Sequence, residues 1–257
     1  MDNFELIGMP LGEEDELAFE ALFTAIDLTE VVVENAEGRW FAFCDEAGGE
    51  VWTGVTHESL FATANPFFSC GSALDIELES VEHGDWPFTA FESVGQIAIK
   101  DQGELLTKSI VVGVNIPAAC SVAPTGLAAK FLKPDVNVAV ATPQSFKAEL
   151  CILSHVTELF DDADSYTSAQ EASGLPMSVP SYLPVGMMQE EGVAQAQGCG
   201  VVLKAGEATG VGGGAYCWAH VTGLGGTYGI TWHPDECTPA KLGQVLSYNG
   251  IVMLRAV

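Results

Sequence analysis

Positive charge is what this chain has least of: 9 Lys and Arg stand against 35 Asp and Glu, a formal net charge of -26 over 257 residues. A field of that sign repels phosphate backbones and anionic lipid surfaces, so neither nucleic acid nor membrane is expected as a partner. Long apolar runs are missing too. The longest stretch, 110–122, is interrupted by Asn115, Pro117 and Cys120, and falls short of the roughly 18 residues of a membrane span. The opening residues MDNFELIGMPLGEEDE hold no basic region and no apolar run with a small-residue cleavage site. No secretory signal is expected from them.

Cysteine is present without being dense. Seven residues cannot all pair within one chain, and Cys44, Cys70, Cys151 and Cys199 sit among apolar or small neighbours. They read as small core hydrophobes in a reducing compartment, so a cytoplasmic location is expected.

Several catalytic signatures are absent as well. The chain has no GxSxG elbow and no HExxH pair, the spacings that serve nucleophilic and zinc-dependent hydrolysis. Gly210-Val211-Gly212-Gly213-Gly214 lacks the Gly-Lys-Ser/Thr ending of a phosphate loop, and a strand-like run follows it where a helix would be needed. A hairpin connection is the reading for these glycines. Asp161, Asp162 and Asp164 fail as a calcium loop, because Thr167 and Ser173 stand where the turn glycine and closing glutamate belong.

What is present is apolar material in short periods. Hydrophobic residues make up 48% of the chain, enough for a large core. Residues 13–26 predict a helix, with Phe19, Leu22, Phe23 and Ile26 on one stripe. Strands are expected at 30–34, at 39–44 and 50–55 about an Asp45–Gly49 turn, at 72–81, 94–99, 109–115 and 136–141, and around 146–153. A short helix is expected at 58–64, ending before Pro66. Residues 198–257 hold five more strand candidates, with Asn249-Gly250 as a tight hairpin turn.

The fold class that follows is α+β, a strand-rich mixed fold with a small C-terminal β-barrel-like unit for which an OB-like form is open. The expected organisation is an acidic mixed domain at 1–160, a Pro/Ser/Gln-rich linker or extended surface segment at 161–197, and a small β domain at 198–257. Charge follows the same division: residues 1–60 contain 15 acids and one Arg, whereas 198–257 contain three acids and three bases.

The remaining candidates are histidines and thiols. His57 stands beside Glu58, and His155 among apolar residues; either could serve as an acid–base group in a cleft at the domain junction. Cys217, His220, His233 and Cys237 form C-x2-H-x12-H-x3-C, all zinc-binding types. Cys217 and His220, three positions apart on one strand, should face opposite ways, so no metal is expected. No cofactor is expected either. Function is not fixed by these residues. The favoured class is a non-catalytic binding or assembly protein, with a protein or small-molecule partner and a homo-oligomer as one form. The alternative is an enzyme using His57 or His155.

Overall fold

Alternating hydrophobicity organises the fold into sheets. The computed structural model describes residues 2–9, 33–34, 38–58, 61–82, 94–114, 144–174, 177–189 and 192–257. Within these lie β1 (Val33–Glu34), β2 (Gly38–Cys44), β3 (Gly49–Thr56), β4 (Phe61–Phe68), β5 (Leu74–Glu82), β6 (Val94–Asp101), β7 (Glu104–Val114) and β8 (Gln144–Phe160). Then follow α1 (Ala163–Ser173), β9 (Ser181–Leu183), β10 (Gln195–Thr209), β11 (Ala215–Gly223), β12 (Gly226–Trp232) and β13 (Val245–Ala256). The protein is thus strand-rich with two sheets. The helix expected at 13–26 and the strand at 136–141 lie outside the described residues.

One sheet has the order β1-β2-β3-β4, and the other has nine strands in the order β11-β12-β8-β5-β6-β7-β13-β10-β9. Two further pairings, β10–β11 and β8–β13, close circuits within the larger sheet. One runs β10-β11-β12-β8-β13 and back to β10; the other runs β8-β5-β6-β7-β13 and back to β8. Both share the long β8–β13 pair. Residues 198–257 therefore lie in the same sheet as β8, while 161–197 carries α1, β9, a 3-10 turn at Val185–Met188 and the start of β10.

The core within the circuits contains Leu74, Ile76, Ile97, Ile99, Leu150, Ile152, Val221, Tyr228, Leu246 and Leu254. A second core lies between the two sheets, where Leu6, Ile7, Met9, Trp40, Phe67 and Phe68 meet Cys151, Leu153, Trp218 and Met253. The middle of β8 is buried on both faces, with Leu150 and Ile152 on one and Cys151 and Leu153 on the other. That is why its alternation is blurred in sequence.

Turn chemistry explains the β2–β3 hairpin: Asp45 Oδ1 accepts from the backbone N–H groups of Ala47, Gly48 and Gly49 at 2.8, 2.9 and 3.0 Å. A short aspartate arm does this where a longer side chain would not. Asp162 plays the matching part for α1, accepting from Ser165 N at 2.8 Å while Ser165 Oγ accepts from Asp162 N at 3.1 Å. The acidic run at 161–164 thus begins a helix.

Two local expectations are corrected. Residues 61–68 form β4, antiparallel to β3 with Val51 opposite Pro66, where a helix was expected to 64. Among the described residues β4 pairs on one side only, and an edge strand tolerates a proline that cannot donate. Asn249-Gly250 is a bulge inside continuous β13, not a hairpin turn. Pairing with β10 on one side and β8 on the other overrides the local preference. A Cβ on Gly250 would lie 2.1 Å from Leu153 O, so the glycine permits close backbone approach.

The outer face of β5 is acidic, and its partners answer it. Asp75 pairs with Lys147 of β8 at 2.6 Å, Glu77 with Lys100 of β6 at 2.5 Å, and Glu79 with Lys108 of β7 at 2.6 Å. Three of the nine basic residues are committed to this cross-strand ladder. Exposed pairs of this type are each worth at most about 1 kcal/mol, so the ladder sets register more than stability.

Candidate functional site

A cleft of about 230 Å³ opens where three parts of the large sheet meet. Leu106 and Thr107 come from the start of β7, Pro180, Ser181 and Tyr182 from β9 and the residue before it, and Gly223, Leu224 and Gly225 from the β11–β12 turn. Leu224 adopts φ 54° between two positive-φ glycines, which turns the hairpin tip toward β7. Leu106 is 45% exposed, and Leu105 beside it 54%.

Behind this apolar rim lies a line of hydroxyls. Tyr182 Oη is 2.6 Å from Ser109 Oγ. Deeper still, Tyr228 Oη and Tyr248 Oη are 2.8 Å apart, their rings edge to face at 6.0 Å. Burial pushes all three phenols up from their ordinary range. They stay protonated near neutral pH and act as hydrogen-bonding groups, not as bases. None of the lining residues carries a formal charge. The cleft can therefore hold an uncharged apolar group and offer it a hydroxyl.

A second cavity, about 420 Å³, lies over the ladder and is lined by Asp75, Ile76, Lys100, Gly103, Ser145, Phe146 and Lys147. Both of its lysines are already engaged by β5 carboxylates.

The histidines nominated from sequence do not converge. His57 is exposed just after β3. His155, on β8, is half-buried with Nε2 3.0 Å from Asn3 Oδ1, and burial lowers its pKa. Neither lines the cleft.

Of the four zinc-type residues, Cys217 and His220 face opposite ways, as strand geometry requires. Cys217 points into the core within the circuits, whereas His220 lies tilted against Trp218 and Phe68, ring centres 5.2 and 5.8 Å away, on the opposite face. His233 Nδ1 accepts from Asp235 N at 3.2 Å. Among the described residues no group of three or more His, Cys, Asp or Glu side chains is placed to hold a metal ion.

The face bearing His220 is polar at a cost. Trp218 Nε1, His220 Nε2 and Thr231 Oγ1 are buried without a hydrogen-bond partner among the described residues, a penalty of about 1–3 kcal/mol for such a group. Burial, reinforced by Lys204, lowers the pKa of His220. Both His155 and His220 are thus depressed below their unfolded value, near 6.5. As pH falls through that value the unfolded chain takes up protons that the folded chain resists, so these histidines destabilise the fold on acidification. We expect His220→Phe to flatten the loss of stability between pH 7 and 5, measured by urea denaturation across that range. An unchanged slope would remove His220 from the account.

Sequence reasoning missed the cleft because its lining comes from three segments far apart in the chain and carries no reactive side-chain type. It also missed Arg255, the hub of a buried charge cluster between the sheets. Arg255 Nη1 donates to both carboxylate oxygens of Glu50, and its Nη2 donates to Glu149 Oε1 at 2.9 Å and Ser69 Oγ at 3.0 Å. Trp52 Nε1 donates to Glu50 at 2.8 Å, Ser69 Oγ to Glu149 at 2.8 Å, and the Arg255 guanidinium lies 4.9 Å from the Phe67 ring centre. No family model, no curated protein and no solved structure matches this chain.

Proposed function

We propose that this is a non-catalytic binding protein and that the Leu106–Tyr182–Leu224 cleft takes a small, uncharged, apolar group. The observation that carries the reading is the cleft's lining: eight residues without a formal charge in a chain of net charge -26. Binding sites of this type join apolar walls to a few placed polar groups. For scale, an engineered apolar cavity of about 150 Å³ in another protein admits benzene. A monocyclic ligand, or one side chain of a partner, suits the volume here.

Five of the described thiols react slowly near neutral pH. Burial raises the thiols of Cys44, Cys70, Cys151, Cys217 and Cys237, and thiolate is the reactive form. On the same reading the acidic surface disfavours nucleic acid and anionic membrane as partners. We read the β10-β11-β12-β8-β13 circuit as the barrel-like unit, which draws β8 from outside 198–257 and supplies the β11–β12 turn to the cleft.

Amide NMR titration with benzyl alcohol tests the proposal, with benzoate as the charged control. We expect saturable shifts at Leu106, Thr107, Tyr182 and Leu224, weaker ones with benzoate, and their loss in Leu106→Asp. Equal shifts in that variant, or shifts centred on His57 or His155, would overturn the reading and favour the enzyme alternative.

A further inference from the structure

The cysteines left over from the zinc-like spacing are brought together on their own. We propose that Cys217 and Cys237 are an oxidation site, a thiol pair that closes to a disulfide on reaction with a low-molecular-weight disulfide such as oxidised glutathione. Cys217 stands on β11 with its side chain in the core. Its Sγ lies 3.9 Å from the carbonyl oxygen of Cys237. That carbonyl is held in place by Trp232 Nε1, which donates to it at 3.0 Å. Cys237 packs against the same core while remaining partly exposed.

The residues between β12 and β13 thus fold back across β11 and set the backbone of Cys237 beside the Cys217 thiol. A disulfide needs Cα atoms roughly 4.4–6.8 Å apart, and residues 233–244 lie outside the strand ladders, so Cys237 can adjust without breaking sheet pairing.

The other described thiols are placed differently. Cys199 Sγ is 3.2 Å from Ser181 Oγ, Cys70 Sγ donates to Ser72 O and Thr227 O, and Cys151 is fully buried. Cys44 is exposed.

The chemistry runs in two exchanges. The more accessible Cys237 gives up its proton and attacks one sulfur of glutathione disulfide, expelling one glutathione thiolate. Cys217 then gives up its proton and attacks Cys237 Sγ in the mixed disulfide, expelling the second. Two protein thiols are oxidised, one glutathione disulfide is reduced to two glutathione thiols, and the two protons pass to the leaving thiolates. Burial holds both thiols up, Cys217 to about 12. The closure therefore accelerates with pH, approaching about tenfold per unit for a step limited by one thiolate.

The full chain is incubated with oxidised glutathione at pH 8, quenched by alkylation and mapped by non-reducing peptide mass spectrometry. We expect a crosslinked peptide joining Cys217 to Cys237, two hydrogens lighter than the thiol pair and lost on reduction. Cys237→Ser should abolish it and Cys44→Ser should leave it intact. In Cys217→Ser, Cys237 should accumulate as the glutathione mixed disulfide, because the resolving thiol is gone. A wild-type protein that stays glutathionylated at Cys237, pairs Cys217 with another cysteine, or reacts only at Cys44 would overturn the proposal.

Discussion

Arg255→Met should lower the unfolding free energy by about 3–5 kcal/mol, the usual cost of removing one partner from a buried ion cluster. The side chains of Glu50 and Glu149 are each only 7% exposed, and without the guanidinium between them two carboxylates share one water-poor pocket. For a chain of this size the loss corresponds to roughly 6–20 °C in melting temperature. The triple variant Glu50→Gln, Glu149→Gln, Arg255→Met should recover much of it, since the penalty lies in the uncompensated charge and not in the missing bond. Chemical denaturation of both variants decides the matter. An Arg255→Met protein within about 1 kcal/mol of the parent would show the cluster to be a solvated surface network.

The second large effect is expected at Gly210. The 3-10 turn Glu5–Ile7 and Met9 insert Leu6, Ile7 and Met9 into the core between the sheets, all at most 1% exposed. This segment lies directly on the glycine-rich β10–β11 connection, with Gly214 N donating to Gly8 O at 2.9 Å. A Cβ on Gly210 would meet Ile7 O at 2.0 Å, and one on Gly8 would meet Gly214 O at 2.3 Å. Both obstacles are backbone, so neither can swing aside.

Gly210→Ala should therefore displace residues 6–9. Each large apolar side chain returned to water costs about 1.5–3 kcal/mol, an upper figure since the unfolded chain already hides part of it. We expect a net loss of about 3 kcal/mol or more, with hydrogen exchange at residues 6–9 rising to that of an unstructured segment. Adding Gly8→Ala should cost little further, because a segment already displaced cannot be displaced twice. Strictly additive losses, or full protection at residues 6–9 in Gly210→Ala, would contradict the packing.

These two expectations also mark where the sequence could be read. The β2–β3 hairpin, β5 and the strands β10 to β12 follow from period-two alternation and turn chemistry, information held within ten or fifteen residues. The glycines at 210–214 were legible as a turn, but their receptor role depends on a segment about two hundred residues earlier. Asn249-Gly250 carries a strong local hairpin signal, yet β13 is paired on both sides and the partners decide. Arg255 meets Glu50 across 205 positions and Glu149 across 106. No spacing rule connects such residues, and a lone arginine among apolar neighbours gives no hint of its carboxylates. The cleft is hidden for a related reason: leucine, proline, glycine and tyrosine line it, the same types that build ordinary turns and cores.

The shared β8–β13 pair has a consequence for how the chain is made. Neither circuit can close without β13, which lies at 245–256 and supplies the closing contact to both β7 and β10. A polypeptide emerging from the ribosome would display the inward faces of β5 to β8, and then those of β10 to β12, well before their common seam is synthesised. At about 5–20 residues per second, the more than eighty residues from the end of β8 to β13 represent several seconds of exposed strand edges. Contacts of such long range also form slowly by their nature. Silent codon changes that slow translation between residues 161 and 244 should therefore lower the protein's soluble yield more than the same changes placed before residue 60.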